Sequence, residues 1–287
     1  MIYTLIKKTI YGYILLSIML LFFCISCKNN AKITGNTLFF DTIRIDETQP
    51  QPLGNGDSND YFSCHLSINF TYPNVYNDQD KLQKLQSAFI ECVFSMKYAG
   101  LSPQQAVDSF RIQYVKDFQC EKFTDKDYDL EDETGFQYHL SLGNKITYNR
   151  DNLVSFLVEN ESFEGGAHGA HSIFGYVINL NTGEYITEDS FAGTNYKKNI
   201  SDIIIEKIAE EKDINNPEQL EDIGYNNISD IVPNGNFTID EKGITYYFNE
   251  YEIAAYFIGI TKVFIPYEEL KSFIADDDNP IATLANK

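Results

Sequence analysis

Tryptophan is absent from this chain of 287 residues, which has only five cysteines and three methionines. Cys64, Cys92 and Cys120 match no zinc-binding spacing. There is also no Gly-x-Ser-x-Gly elbow, no phosphate-binding Walker loop and no His-Glu-x-x-His pair. These absences argue against the serine hydrolases, nucleotide hydrolases and zinc proteases that carry such motifs, and no cofactor is expected.

Positive charge is also scarce, because 22 Lys and Arg face 42 Asp and Glu, a formal net charge of −20. A surface this acidic repels phosphate backbones, so nucleic acid is not expected as a partner. The charge favours basic partners, or it only keeps the protein soluble. A hydrophobic content of 43% with 20 Tyr and 21 Phe indicates a folded core.

The N-terminus has the layout of a secretory signal. Lys7 and Lys8 precede an apolar run, residues 11–25, that ends at Ser26-Cys27 and turns polar at Lys28. A small residue before a cysteine resembles the lipobox of bacterial lipoproteins, so we expect cleavage of residues 1–26 and acylation of Cys27 with diacylglycerol and a fatty acid such as palmitate. An uncleaved membrane anchor is the alternative. Lys28, where Asp would favour inner-membrane retention, favours the outer membrane if the cell has two.

Periodicity predicts an α+β fold with a mostly antiparallel sheet. Strands are expected at 62–72, 138–142, 145–148, 153–163, 172–180, 236–240, 243–248 and 262–266, with a turn at Gly143-Asn144. Apolar residues at helical spacing predict a helix pair in the first half, at 80–98 and after Pro103. Further helices are expected at 199–211, 217–223 and 267–275. Residues 27–58 are predicted to be a tether, with 37–45 as a possible strand, and 276–287 a polar tail.

Three segments together carry a family resemblance. They are Glu164-Gly165-Gly166-Ala167-His168-Gly169, the run Ile178-Asn179-Leu180-Asn181-Thr182-Gly183-Glu184, and residues 248–259 followed by 263–270. The combination resembles the RsiV-like extracytoplasmic pair, a DUF4163 module (59–169) followed by a DUF3298 module (170–275). Ala255 and Ile260 depart from the family, which commonly has proline at these positions.

The resemblance implies binding in the cell envelope, since relatives include a lysozyme-binding anti-sigma factor and non-catalytic modules beside peptidoglycan deacetylases. The anti-sigma role does not carry over, because only about a dozen residues precede the apolar run. The predicted function is therefore a non-enzymatic lipoprotein that binds a protein, such as a lysozyme-like one, or a peptidoglycan fragment. The alternative is a peptidoglycan hydrolase or deacetylase that uses His168 with an acidic partner.

The predicted binding residues are Glu164, Gly165, Gly166, His168, Gly169, Tyr251 and Tyr256. The glycines permit close backbone approach, and tyrosine suits interfaces. A glycine-rich turn with His168 bonded to a backbone carbonyl is the structural alternative. His168 and His171 could share a metal, but no third ligand is evident, so no metal is expected. Cys64 and Cys92 fit small buried positions, with a Cys92–Cys120 disulfide as the alternative.

Overall fold

The computed structural model describes residues 38–52, 61–120, 137–165, 167–192, 196–274 and 279–286. Five strands form the first sheet in chain order: β1 (Phe39–Pro52), β2 (Tyr61–Val75), β3 (Gln137–Arg150), β4 (Leu153–Phe163) and β5 (Ala170–Asn179). Three strands form the second: β6 (Phe237–Ile239), β7 (Gly243–Phe248) and β8 (Thr261–Pro266). Neighbouring strands run antiparallel except β2 and β3. The predicted α+β class is confirmed.

The longest α-helices lie where the helical spacing of apolar residues predicts them. The α-helices are α1 (Gln79–Phe94), α2 (Pro103–Cys120), α3 (Glu188–Phe191), α4 (Tyr196–Glu211), α5 (Tyr267–Leu270) and α6 (Pro280–Ala285). Short 3₁₀ turns cover Met96–Tyr98, Pro217–Ile223, Ile228–Asp230 and Tyr256–Ile258. The pair α1 and α2 joins β2 to β3, and a crossover of this length is what allows the two strands to run parallel.

Helix α1 shows how local sequence becomes packing. Asp78 caps its first turn, since the carboxylate Oδ1 accepts from the Lys81 N–H at 3.0 Å. The apolar stripe of the helix is buried, and the Phe89 ring stacks on Phe156 of β4 with centroids 3.9 Å apart. The helix is thereby fixed to one face of the first sheet.

Part of the first sheet is buried on both faces, because one core lies on each side of it. Val154 and Phe156 of β4 face the α1–α2 core, whereas Leu153 faces the core of β6–β8 and α4. Gly175 of β5 lies so close to the second sheet that a Cβ there would stand 2.3 Å from the Phe237 carbonyl oxygen. Only glycine therefore permits this approach of the two sheets.

Three expectations about local structure are wrong. Residues 39–52 of the predicted tether form β1, a full partner of β2, so the possible strand at 37–45 is confirmed over residues 39–45 and the tether is wrong for residues 39–52. The predicted turn at Gly143-Asn144 lies inside the continuous strand β3, where the Asn144 amide bonds the backbone N–H and C=O of Thr71. The predicted polar tail contains α6, which buries Ile281 and Leu284. Packing against a tertiary neighbour overrides the local signal in each case.

Cys64 and Cys92 are thiols, so the alternative Cys92–Cys120 disulfide is not formed. The predicted signal peptide (1–26), the lipidation site Cys27 and Gly166 lie outside the described residues. Within the described ranges, no helix has both the length and the apolar character needed to cross a membrane. The module boundary between residues 169 and 170, which falls between β4 and β5, stays a prediction.

Candidate functional site

The segment 164–169 connects β4 to β5, and the backbone geometry favours glycine at two of its positions. Gly165 has a φ of +87°, a conformation that side chains other than glycine rarely adopt. At Gly169 a Cβ would stand 2.8 Å from the Ser162 carbonyl oxygen. Glycine at these positions lets the connection fold back against the end of β4 and hold His168 outward, where it is exposed.

His168 lies against two tyrosines from the segment that follows β7. Its ring stacks on Tyr256 with centroids 3.9 Å apart and an interplanar angle of 25°. The Tyr251 hydroxyl lies 3.3 Å from His168 Nε2, and the Tyr251 and Tyr256 rings stack with centroids 5.5 Å apart. We call His168, Tyr251 and Tyr256 the ring cluster.

The backbone carbonyl of Gly169 fixes the ring cluster from below. It lies 2.9 Å from His168 Nδ1 and accepts a hydrogen bond from the Tyr256 hydroxyl at 3.1 Å. Because a carbonyl oxygen can only accept, the proton of a neutral His168 lies on Nδ1. Nε2 is then an acceptor, and the Tyr251 hydroxyl donates to it. Partial burial, and then the nearby Glu250, raise the pKa of Tyr256 above its ordinary value.

The loop between β7 and β8 places both tyrosines. Asn249 N–H donates to the Glu252 carboxylate at 2.8 Å, and Glu252 N–H donates back to the Asn249 carbonyl at 3.0 Å. Tyr251, between them, has a φ of +64°, and its side chain is 60% exposed. This tight turn presents one flat tyrosine face to solvent.

A cavity of about 230 Å³ adjoins the ring cluster, with Tyr256 in its wall. Its charged and ionisable lining is His139 of β3, Glu161 of β4, His171 of β5 and Glu250 of the β7–β8 loop. His139 Nε2 lies 3.7 Å from Glu161 Oε1. We call this the acidic cavity, since the carboxylates of Glu161 and Glu250 both lie in its lining.

The structure thus brings together His168, Gly169, Tyr251 and Tyr256, four of the predicted binding residues. Glu164 is exposed at the start of the same connection, and no hydrogen bond of the described residues links it to the ring cluster. Sequence reasoning missed the acidic cavity. Strand alternation shows that His139 and Glu161 point away from the first core, but not that their strands pair in this register.

The histidines do not form a metal centre as the side chains stand. No group of three His, Cys, Asp or Glu in the part of the chain that the structure describes is placed to hold an ion. His168 instead contacts a carbonyl and a tyrosine hydroxyl. What the arrangement offers chemically is an exposed aromatic surface next to a small hydrogen-bonding cavity.

The fold and this surface define a two-sheet α+β protein with an aromatic cluster held between a β4–β5 connection and a β7–β8 loop. Residues 186–268 match the family model "Protein of unknown function (DUF3298)", and residues 57–171 match the model "Deacetylase PdaC". The chain therefore contains a DUF3298 domain, preceded by a region similar to the PdaC model.

Solved structures agree with this assignment. A member of the DUF3298 family from Bacteroides fragilis is 28% identical, with a TM-score of 0.74 over 88% of this chain and 100% of that one. A DUF3298 family protein from Pseudomonas aeruginosa, 14% identical, has a TM-score of 0.54 over 82% of this chain and 94% of that one, and it is similar in fold alone. No curated protein matches.

Proposed function

We propose that this protein is a non-enzymatic binding module of the cell envelope that holds a peptidoglycan fragment on the ring cluster. The observation that carries the proposal is the stack of His168, Tyr251 and Tyr256, with Tyr251 60% exposed, beside a polar cavity. An aromatic face that stays open to solvent in the folded protein is typical of a recognition surface. A sugar ring offers the flat apolar face that such a stack can cover.

The extracytoplasmic location is part of the proposal. Its support is the leader pattern of residues 1–26 and the small residue before Cys27, which would carry the lipid anchor. The order of the two modules supports the RsiV-like assignment, with residues 59–169 as the DUF4163 module before the DUF3298 domain. In an envelope with two membranes, Lys28 favours the outer one.

A lysozyme-like protein is the second candidate ligand, and charge is what favours it. The chain carries a formal net charge of −20, and Glu164, Glu250 and Glu252 lie close in sequence to residues of the ring cluster. A basic partner would be attracted to such a surface and associate faster at low salt.

A hydrolase or deacetylase is the third candidate, favoured by the match of residues 57–171 to the model "Deacetylase PdaC". The geometry around His168 gives it less support. A general base is usually oriented by a carboxylate or a comparable group, whereas His168 contacts the Gly169 carbonyl and the Tyr251 hydroxyl. Release of acetate or sugars from sacculi by the parent protein, and the absence of this release in His168→Ala, would establish the enzyme hypothesis.

Calorimetric titration of the full chain in detergent tests the proposal, with a purified disaccharide-peptide and a c-type lysozyme as separate ligands. We expect saturable binding of the disaccharide-peptide and a loss of about tenfold or more in Tyr251→Ala, the cost of one aromatic hot-spot contact. Met96→Ala is the matched control, since Met96 is 74% exposed and lies on the 3₁₀ turn after α1.

Unchanged affinity in Tyr251→Ala would contradict the assignment of the ring cluster. Lysozyme binding that persists at salt well above 0.15 M, with no binding of the disaccharide-peptide, would replace the peptidoglycan ligand by the protein one. Attraction to lysozyme that disappears with salt would be charge attraction only.

A further inference from the structure

The acidic cavity is built mainly on strands of the first sheet. Glu161 of β4 lies directly opposite His171 of β5, and His139 of β3 lies opposite Phe163, two residues along β4 from Glu161. Residues directly opposite each other, or two apart on one strand, point to the same face of a sheet. His139, Glu161 and His171 therefore share the face that is turned away from α1 and α2.

The β7–β8 loop closes this face into a cavity. Glu250 Oε2 accepts a hydrogen bond from the backbone N–H of His171 at 3.2 Å. That bond fixes one carboxylate oxygen and leaves the other oxygen with hydrogen-bonding capacity. Tyr256 from the same loop belongs to the ring cluster and also lines the cavity, so a ligand that covers the ring cluster can extend into the cavity.

Charge decides what the cavity can accept. The two carboxylates are hydrogen-bond acceptors that attract a cation and repel a phosphate or carboxylate. A cavity of about 230 Å³ admits a slender group and excludes a bulky one. These features together fit a primary ammonium at the end of an alkyl chain.

We infer that the acidic cavity binds a primary ammonium group on the peptide stem of the peptidoglycan fragment whose sugar lies on the ring cluster. This inference rests on the proposed function and adds the group that sets its specificity. The free side-chain amine of a diamino acid keeps its charge at neutral pH, because an alkylamine of this kind has a pKa near 10.4. A neutral stem of the same length would leave the two glutamates without a cation.

The test compares two ligands that differ only in whether the side-chain amine is free or acetylated. A lysine-containing disaccharide-peptide and the same molecule acetylated on its side-chain amine are titrated calorimetrically against the full chain. We expect acetylation to weaken binding about tenfold, the loss for one hydrogen bond to a charged group. Glu250→Gln is expected to weaken binding of the free amine to a similar extent and to reduce the difference in affinity between the two ligands.

Glu161→Gln is expected to have a smaller effect, about threefold, because its side chain is 65% exposed and water screens its charge. Glu206→Gln is the matched control, since Glu206 is exposed on α4, a helix that contributes no residue to the cavity. Circular dichroism of each variant checks that it is folded.

Each outcome has a separate meaning. Equal affinity for the two ligands overturns this inference and leaves the proposed function in place. No binding of either ligand overturns both. A third outcome is that lysozyme binds, that Glu250→Gln weakens this binding, and that no disaccharide-peptide binds. The ammonium group would then belong to a protein, and the inference would also be wrong.

Discussion

At the scale of the residue, one carbonyl organises the ring cluster. The Gly169 oxygen accepts from the Tyr256 hydroxyl and contacts His168 Nδ1, so a single backbone atom orients two of the three rings. Its own position depends on the missing side chain at residue 169, because a Cβ there would collide with the Ser162 carbonyl. Glycine at residue 169 therefore has a structural reason that is independent of any ligand.

Cys92 provides a prediction about pH at this scale. Burial raises the pKa of its thiol to about 11, and the Tyr185 hydroxyl, 3.3 Å from the sulfur, lowers it only in part. The thiolate is the reactive form, and near pH 8 only a very small fraction of Cys92 is present as thiolate. We expect iodoacetamide to modify Cys92 slowly in the folded protein and faster as the pH approaches 11, as followed by peptide mass spectrometry.

The control is the same reaction with the protein unfolded in denaturant. A cysteine of the unfolded chain has a pKa of about 8.5 and should react readily at pH 8. Rapid modification of Cys92 in the folded protein at that pH would show that the thiol is not buried against Tyr185 and that the packing between α1 and the segment after β5 is different.

At the scale of the element, the outer edge of β5 is closed by side chains. Asn236 Oδ1 accepts from the Gly175 N–H at 2.6 Å, and its Nδ2 donates to the Ile173 and Tyr247 carbonyls at 2.8 and 3.0 Å. Asn249 Oδ1 accepts from the Ile173 N–H at 2.7 Å. An open strand edge invites pairing with other chains, and here the second sheet satisfies it through amide groups.

Asn236→Ala is therefore expected to destabilise the protein by about 2 kcal/mol, since the Gly175 N–H loses its acceptor, whereas the Ile173 and Tyr247 carbonyls keep Asn249 and Asn234 as donors. Urea unfolding followed by circular dichroism measures the change. Asn226→Ala is the control, because Asn226 is exposed and makes one long bond of 3.4 Å, and it should stay within about 0.5 kcal/mol of the parent. Equal effects would mean that water replaces Asn236 at the β5 edge.

At the scale of the whole molecule, charge opposes folding. A formal net charge of −20 produces self-repulsion in the compact state, whereas exposed ion pairs such as Lys207–Glu269 contribute little. Adding sodium chloride to about 0.5 M shortens the screening length and weakens the repulsion more than it weakens the pairs. We expect the melting temperature to rise by roughly 2–4 °C, which corresponds to about 1 kcal/mol for a chain of this size.

Differential scanning calorimetry at two sodium chloride concentrations measures this shift, and sucrose of equal osmolality serves as the control for effects without ionic screening. A melting temperature that falls as salt is added would show that ion pairs outweigh the excess negative charge, contrary to the expectation.

The sequence by itself determined most elements, because their signals are local. The apolar spacing in α1 and α4 and the alternation in β2 and β4 each depend on residues within a few positions of one another. The glycines and His168 also stood out as a motif. Local signals misled where a distant partner mattered, as at Gly143-Asn144, which packs against β2.

Only the tertiary structure decided the candidate site. His168 and Tyr251 are 83 positions apart, yet their side chains touch because β7 packs behind β5 and its loop reaches the β4–β5 connection. The acidic cavity depends on the β3–β4 and β4–β5 registers, and a shift by one residue would turn Glu161 to the opposite face. Such registers are set by the packing of two cores against one sheet, a long-range property that no local pattern encodes.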